Sequence, residues 1–282
     1  MPISFDTAAA ERSDEARALF AALGRGTDEP VVLTTLSGVD LCILGAMSWE
    51  ALATSWNRLK PEDRTKITET RTTQMIERGL LIEQSPGQGY DPLAYYAVSP
   101  KLGIALAARS NPTFIITSAV SPKQAPLTLF AAGDATAPVR GIVIEVPSLT
   151  TGEQKGNPAP EPLSVQFNHL LVTQDFAAGY LAESTLRNAP SNAFHKKTAR
   201  TVTLFRPGTG PKPTAELSVL GDGTTARVKG PGINGEFDKA ALKTLALQLF
   251  EQGTPSALPT DPRHVATDPG QRLRSGPTHA MW

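Results

Sequence analysis

The sequence predicts an α+β fold: an N-terminal helical, winged-helix-like part over residues 1–112, then a mainly antiparallel sheet-and-helix part over 113–253. Three observations predict it. Apolar residues recur at helical spacing as far as Arg109, and from Thr113 the period changes from 3.6 to 2. An order of strands followed by a helix then occurs twice, over 113–188 and 200–253, without detectable identity between the two stretches. After residue 253 core-forming residues all but cease, so 254–282 is expected to be a disordered tail.

In chain order, Phe5–Leu23 carries Ala16, Leu19, Phe20 and Leu23 at helical spacing and is stopped by Gly24-Arg25-Gly26. The β-branched run Pro30–Leu36 predicts a short strand, and Ser37-Gly38-Val39-Asp40 opens a helix. Ser48 is the expected N-cap of a helix turning Trp49, Leu52, Ala53 and Trp56 inward, and Pro61-Glu62-Asp63 opens the next. Arg64 to Arg109 is the hinge of the chain. It reads as a helix ending at Gly79, a reversal carrying Pro86, Gly87, Gly89 and Pro92, an extended piece Leu93–Val98, and a second helix after Ser99-Pro100.

In the second part the period of two predicts strands at Thr113–Val120, Leu127–Ala132, Val139–Val146 and Leu163–Val172, with an exposed loop over 148–162. Asp175 is the expected cap of a helix through Asn188. Strands Thr201–Phe205, Thr214–Leu220 and Thr224–Lys229 follow, the last two joined by the hairpin signal Gly221-Asp222-Gly223. Asp238 caps a final helix with an apolar stripe Leu242, Leu245, Ala246, Leu249 and Phe250.

Composition narrows the function. Lys plus Arg and Asp plus Glu are both 27, so no global field draws the chain to a polyanion. One cysteine, Cys42, cannot form an internal disulfide, no eighteen-residue apolar run occurs, and no secretory leader is expected. A cytoplasmic protein without membrane insertion is expected. Gly230 to Gly235 matches G-x-G-x-x-G, but Pro231 removes a backbone donor and no later strand completes a βαβ unit, so a turn is the favoured reading and no cofactor is expected. His169, His195, His264 and His279 lack partners at ligand spacing, which argues against a metal, and no nucleophile or metalloprotease signature occurs. No enzyme is expected.

Two binding surfaces remain. Between Glu183 and Glu216 the chain is basic and free of carboxylates, and Lys196, Lys197 and Arg200 read either as a solvated connection or as a patch for an acidic partner. Val139–Val146 is apolar on both alternations, with Val139 and Val143 on one side. Such a strand is either central and covered on both faces, the favoured reading, or leaves Val139 and Val143 as an anchor for a partner. A winged-helix transcriptional regulator with a C-terminal sensing domain is the alternative. It would hold DNA through Arg64, Lys66 and Arg71, although helix and wing carry little net positive charge.

The order of residues resembles the EspG-type chaperones of actinobacterial type VII (ESX) secretion. The resemblance rests on Val31-Val-Leu-Thr-Thr-Leu-Ser-Gly38, Ile76-Glu-Arg-Gly-Leu-Leu81, and Ser99-Pro-Lys-Leu-Gly-Ile-Ala-Leu-Ala-Ala-Arg109 leading to Asn111-Pro112 and the change to strands. It implies a central sheet with two quasi-related halves, and recognition of helical PE/PPE-like substrates in the cytosol before export. The 148–162 loop and the tail match no part of that pattern.

Overall fold

The computed structural model describes residues 29–47, 49–83, 96–110, 112–121, 123–132, 141–148, 161–187, 199–206 and 212–252, with Asp14, Ala18, Leu19 and Ala21. A nine-stranded sheet organises them, antiparallel throughout, in the order β1-β7-β6-β5-β4-β8-β9-β10-β11. Its strands are β1 (Val31–Ser37), β4 (Ile115–Ala119), β5 (Leu127–Ala132), β6 (Gly141–Ser148), β7 (Gln166–Val172), β8 (Arg200–Phe205), β9 (Ala215–Gly221), β10 (Thr225–Gly230) and β11 (Ile233–Asp238). The predicted α+β class is the observed one.

The helices are α1 (Gly38–Ile43), α2 (Glu50–Arg58), α3 (Pro61–Glu77), α4 (Pro100–Ser110), α5 (Gln174–Leu186) and α6 (Lys239–Gln252). A separate hairpin of β2 (Leu81–Glu83) and β3 (Tyr96–Val98) joins α3 to α4. Arg78 ends α3 and Gly79 follows at φ +66°, a conformation that glycine takes without steric cost.

The two strands-then-helix halves are β4–β7 with α5, and β8–β11 with α6. They meet where β4 pairs antiparallel with β8, and Thr117 faces Thr203 there with their hydroxyls 2.5 Å apart. From this pair the strands run outward in chain order on both sides, β4-β5-β6-β7 on one and β8-β9-β10-β11 on the other. Helices α5 and α6 lie side by side on one face of the sheet. Their Leu181, Leu186, Leu242, Leu245 and Leu249 share a core with Ile116, Leu129, Ile144, Leu204, Leu217 and Val228 of both halves. At about 25 cal/mol per Å2, each such leucine contributes roughly 1.5–3 kcal/mol, which makes this shared core the chief source of the sheet's stability.

The opposite face is asymmetric. Over the first half α4 packs Ile104, Ala105 and Ala108 onto Leu33, Phe130, Val143 and Leu171. Over the second half the strands alternate buried and exposed. Thr201, Glu216, Ser218, Arg227, Lys229, Asn234 and Glu236 all face outward.

Several expectations change in detail. β1, assigned by sequence to the helical part, is an edge strand of the main sheet beside β7, so residue 112 does not separate two cores. Alternation at Leu163 and Val165 belongs to a 3-10 turn, Pro162–Ser164, that precedes β7 and buries both side chains with Leu52 and Trp49. Thr173, not Asp175, caps α5, its hydroxyl accepting from the Phe176 amide. Asp238 does cap α6, accepting from the Ala241 amide at 2.8 Å. Gly230 to Ile233 is the tight turn of the β10–β11 hairpin, with Gly230 paired to Ile233 and Gly232 at φ +73°, so the rest of the G-x-G-x-x-G stretch lies in β11. Trp49, and not Ser48, is the N-cap of α2, without a side-chain cap bond. Most of Phe5–Leu23, the reversal 84–95, the loop 149–160 and the tail lie outside the described residues.

Candidate functional site

Counting back from the N-caps Thr173 and Asp238 aligns β6–β7 with β10–β11, and the aligned pairs differ in kind. Val143–Leu171 and Glu145–His169 in the first half correspond to Arg227–Glu236 and Lys229–Asn234 in the second. One face has been built to be covered and its counterpart to meet water or a polar partner.

Beneath α4 the covered face holds a buried ionic cluster. Glu145 and His169 are opposite each other on β6 and β7, with His169 Nε2 2.9 Å from Glu145 Oε2. Arg109, in the last turn of α4, places Nη1 on the same Oε2, donates Nη2 to the Ala46 carbonyl, and sets its guanidinium carbon 5.0 Å from the Phe130 ring centre. All three side chains are nearly inaccessible, at 5, 2 and 0% exposure in the order Arg109, Glu145, His169. Burial pulls the Arg109 pKa down to about 10. Burial first, and the Arg109 charge second, push His169 down to about 3 against the opposing pull of the Thr34 and Phe167 backbone groups. His169 is therefore neutral at pH 7, and Arg109 carries the charge that compensates Glu145.

The cluster lies on a longer polar row. Thr34, His169, Glu145, Thr128, Thr117, Thr203 and Glu216 are successive cross-strand neighbours over seven strands. The row is buried from Thr34 to Thr128 and opens to solvent at Glu216. Periodicity does not reveal it because its members run from Thr34 to Glu216 along the chain. A usable signal was present, however: Glu145 in Gly-Ile-Val-Ile-Glu-Val and His169 before Leu-Leu-Val stand in otherwise apolar strands, where an ionisable group requires a partner.

A second brace joins the helical elements to β1. Asp40, wholly buried in α1, completes a capping box with Ser37 and accepts a two-point contact from Arg71 of α3, Nε to Oδ1 at 3.0 Å and Nη2 to Oδ2 at 2.9 Å. Arg71 also donates to Ser37 Oγ and Gln74 Oε1, and Arg78 donates to the Thr35 carbonyl at 2.6 Å. Arg71→Ala should cost about 2 kcal/mol in denaturant unfolding, below the range for a fully buried pair because Arg71 is 29% exposed. A loss within 0.5 kcal/mol, the order of a neutral surface change, would contradict the brace.

The sequence-predicted site residues are thus scattered. Val143 is fully buried under α4, so it is the central, covered strand position and not an accessible anchor. Val139, Lys196 and Lys197 lie outside the described residues. Arg200 begins β8 on the α5–α6 side, half-buried, with burial lowering its pKa and its Nε without a hydrogen-bond partner among the described residues. Arg64 is half-buried and Lys66 exposed on α3, but Arg71, the third residue of the DNA-binding alternative, is committed to Asp40.

Among the described residues no group of three His, Cys, Asp or Glu is placed to hold a metal, and no helix is long and apolar enough to cross a membrane. Cys42 is buried and its thiol is pushed up to about 12 by desolvation, which makes it inert. A void of about 20 Å3 between α5, α6 and β8–β10, lined by Leu181, Leu217, Val228, Leu242 and Leu245, has room for one water and not for a metabolite. No protein-family model, curated protein or solved structure matches the chain.

Proposed function

We propose that the chain is a non-catalytic cytosolic binding protein of the type VII secretion-chaperone kind, holding helical PE/PPE-like substrates before export. The observation that supports this reading is the strand order, one central sheet whose strands run outward in chain order on either side of the β4–β8 pair. That is the arrangement the resemblance implies. The commitment of Arg109, Glu145, His169, Asp40 and Arg71 to structural contacts also favours binding over chemistry. Lys196, Lys197 and Arg200, at the entry to β8, are the proposed contacts for an acidic partner surface.

Co-expression with a helical PE/PPE-like pair should yield one complex in gel filtration, with the chain and the pair in equal amounts. Separate elution of the chain and the pair at micromolar concentrations would sink the proposal.

The winged-helix reading draws on α3, the β2–β3 hairpin and α4 in succession. Arg71 weighs against it, since a guanidinium bound to Asp40 is not available to a phosphate. Fluorescence anisotropy with duplex DNA at low salt should show no binding that depends on Arg64 or Lys66. Affinity falling steeply with salt, and lost in Arg64→Ala, would restore that reading.

A further inference from the structure

The matching strand order of the two halves leaves one position empty. In the first half the outer edge of β7 is covered by β1, while among the described residues β11, its counterpart, has no neighbour beyond β10. The two ends of the sheet also differ in regularity. β1 carries a register shift between Val32 and Thr34, a common protection of edge strands, whereas β11 pairs without interruption over six residues and contains no proline.

Hydrogen-bond parity follows from the two-residue turn. Gly230 and Ile233 close the hairpin, so Ile233, Gly235 and Phe237 turn their backbone groups to β10, and Asn234 and Glu236 turn theirs outward. The Thr225 carbonyl accepting from the Asp222 amide on the β9 side agrees with this parity. The side chains of Asn234 and Glu236 are exposed on the uncovered face, and those of Ile233 and Phe237 are buried on the α6 face.

We propose that the β11 edge takes an extended, basic segment of a partner protein as a tenth strand, antiparallel to β11 as β1 is to β7. Charge complementarity selects the occupant. Along the open face the sign alternates from strand to strand: Glu216 on β9, Arg227 and Lys229 on β10, Glu236 on β11. The next strand is matched when a Lys or Arg stands beside Glu236, with small apolar residues at alternate positions on the α6 face. Backbone bonds to Asn234 and Glu236 supply affinity and the cation supplies selection. A second copy brought in through the same edge is less well matched, since one of its registers sets Glu236 against Glu236.

This inference rests on topology and not on the chaperone reading, so the two fail separately. The test uses the full chain and a fluorescently labelled peptide, acetyl-Val-Lys-Val-Thr-Val-Lys-Val-amide. Saturable binding below about 1 mM is expected. A peptide with Glu for Lys, or one N-methylated at the amides that face the edge, should bind at least tenfold more weakly. Asn234→Pro, which removes an outward N–H that β10 does not use, should cause a similar loss, and Glu236→Lys should invert the preference between the Lys and Glu peptides. The proposal is overturned by absence of binding to the Lys peptide, by equal binding of the N-methylated peptide, or by an unchanged preference in Glu236→Lys. Elution of the free protein as a dimer that Glu236→Lys dissociates would give the edge to a second copy and overturn it equally. Should Asn234→Pro fail to fold, the N-methylated peptide and Glu236→Lys still decide the matter.

Discussion

Replacing Arg109 with methionine is expected to lower the unfolding free energy by about 3–5 kcal/mol, because it strands Glu145 in the interior. The double variant Arg109→Met with Glu145→Leu should recover most of that loss, since exchanging a buried ion pair for apolar residues of similar volume is often neutral or better. Urea denaturation gives both numbers, and a single-variant loss below 1 kcal/mol would mean that water reaches the pair.

The same cluster predicts a pH dependence of definite sign. The folded pKa of His169 is about 3, below the unfolded value of 6.5, so the unfolded chain takes up the proton first. The stability is fully present above pH 6.5 and is lost as pH falls from there toward 3, with a slope approaching about 1.4 kcal/mol per pH unit from this group. In Arg109→Met the Arg109 charge, the second cause of the depression, is gone, while burial, the first, remains. The slope attributable to His169 should then shrink, and a profile unchanged between wild type and Arg109→Met would contradict the assigned geometry.

The second large effect belongs to Val143. Val143→Asp should abolish folding at 25 °C, since a buried unpaired carboxylate costs several kcal/mol, on the order of a domain's whole margin of about 5–15 kcal/mol. Circular dichroism reads the outcome, and a folded Val143→Asp protein would place α4 elsewhere. A residue on the open face of the second half supplies the control. Lys229→Thr there should change stability by no more than about 0.5 kcal/mol, so the contrast between the two variants measures how far the two faces differ.

What could be read from the sequence was whatever lies within one element or one turn. The period of two located β4 to β10 but not β11, Gly221-Asp222-Gly223 located a hairpin, and the turn favoured over the dinucleotide motif at Gly230 is the β10–β11 turn. What could not be read depends on pairing at a distance. β1 was recognisable as a strand, but its partner β7 follows it by more than a hundred residues, and periodicity carries no information about that choice. Val143 was ambiguous because an apolar strand looks the same whether a helix or a partner covers it, and only the placement of Ile104, Ala105 and Ala108 decides. Arg109 stands in the last turn of its helix, a common place for a basic residue because of the helix dipole, so its position alone marks no site. Its role appears only when β6 and β7 bring Glu145 and His169 beneath it. Leu163 and Val165 continued a strand pattern into a 3-10 turn since both arrangements bury the same alternate residues.

The claim that this chain is a binding protein for a helical partner is tested most directly by amide hydrogen exchange of the protein alone and with a saturating PE/PPE-like pair. Slower exchange is predicted in the segment 188–205, which carries Lys196, Lys197 and Arg200, while the amides of β6 under α4 should exchange slowly in both states. An exchange pattern identical with and without the pair, at every amide of the chain, would contradict the account.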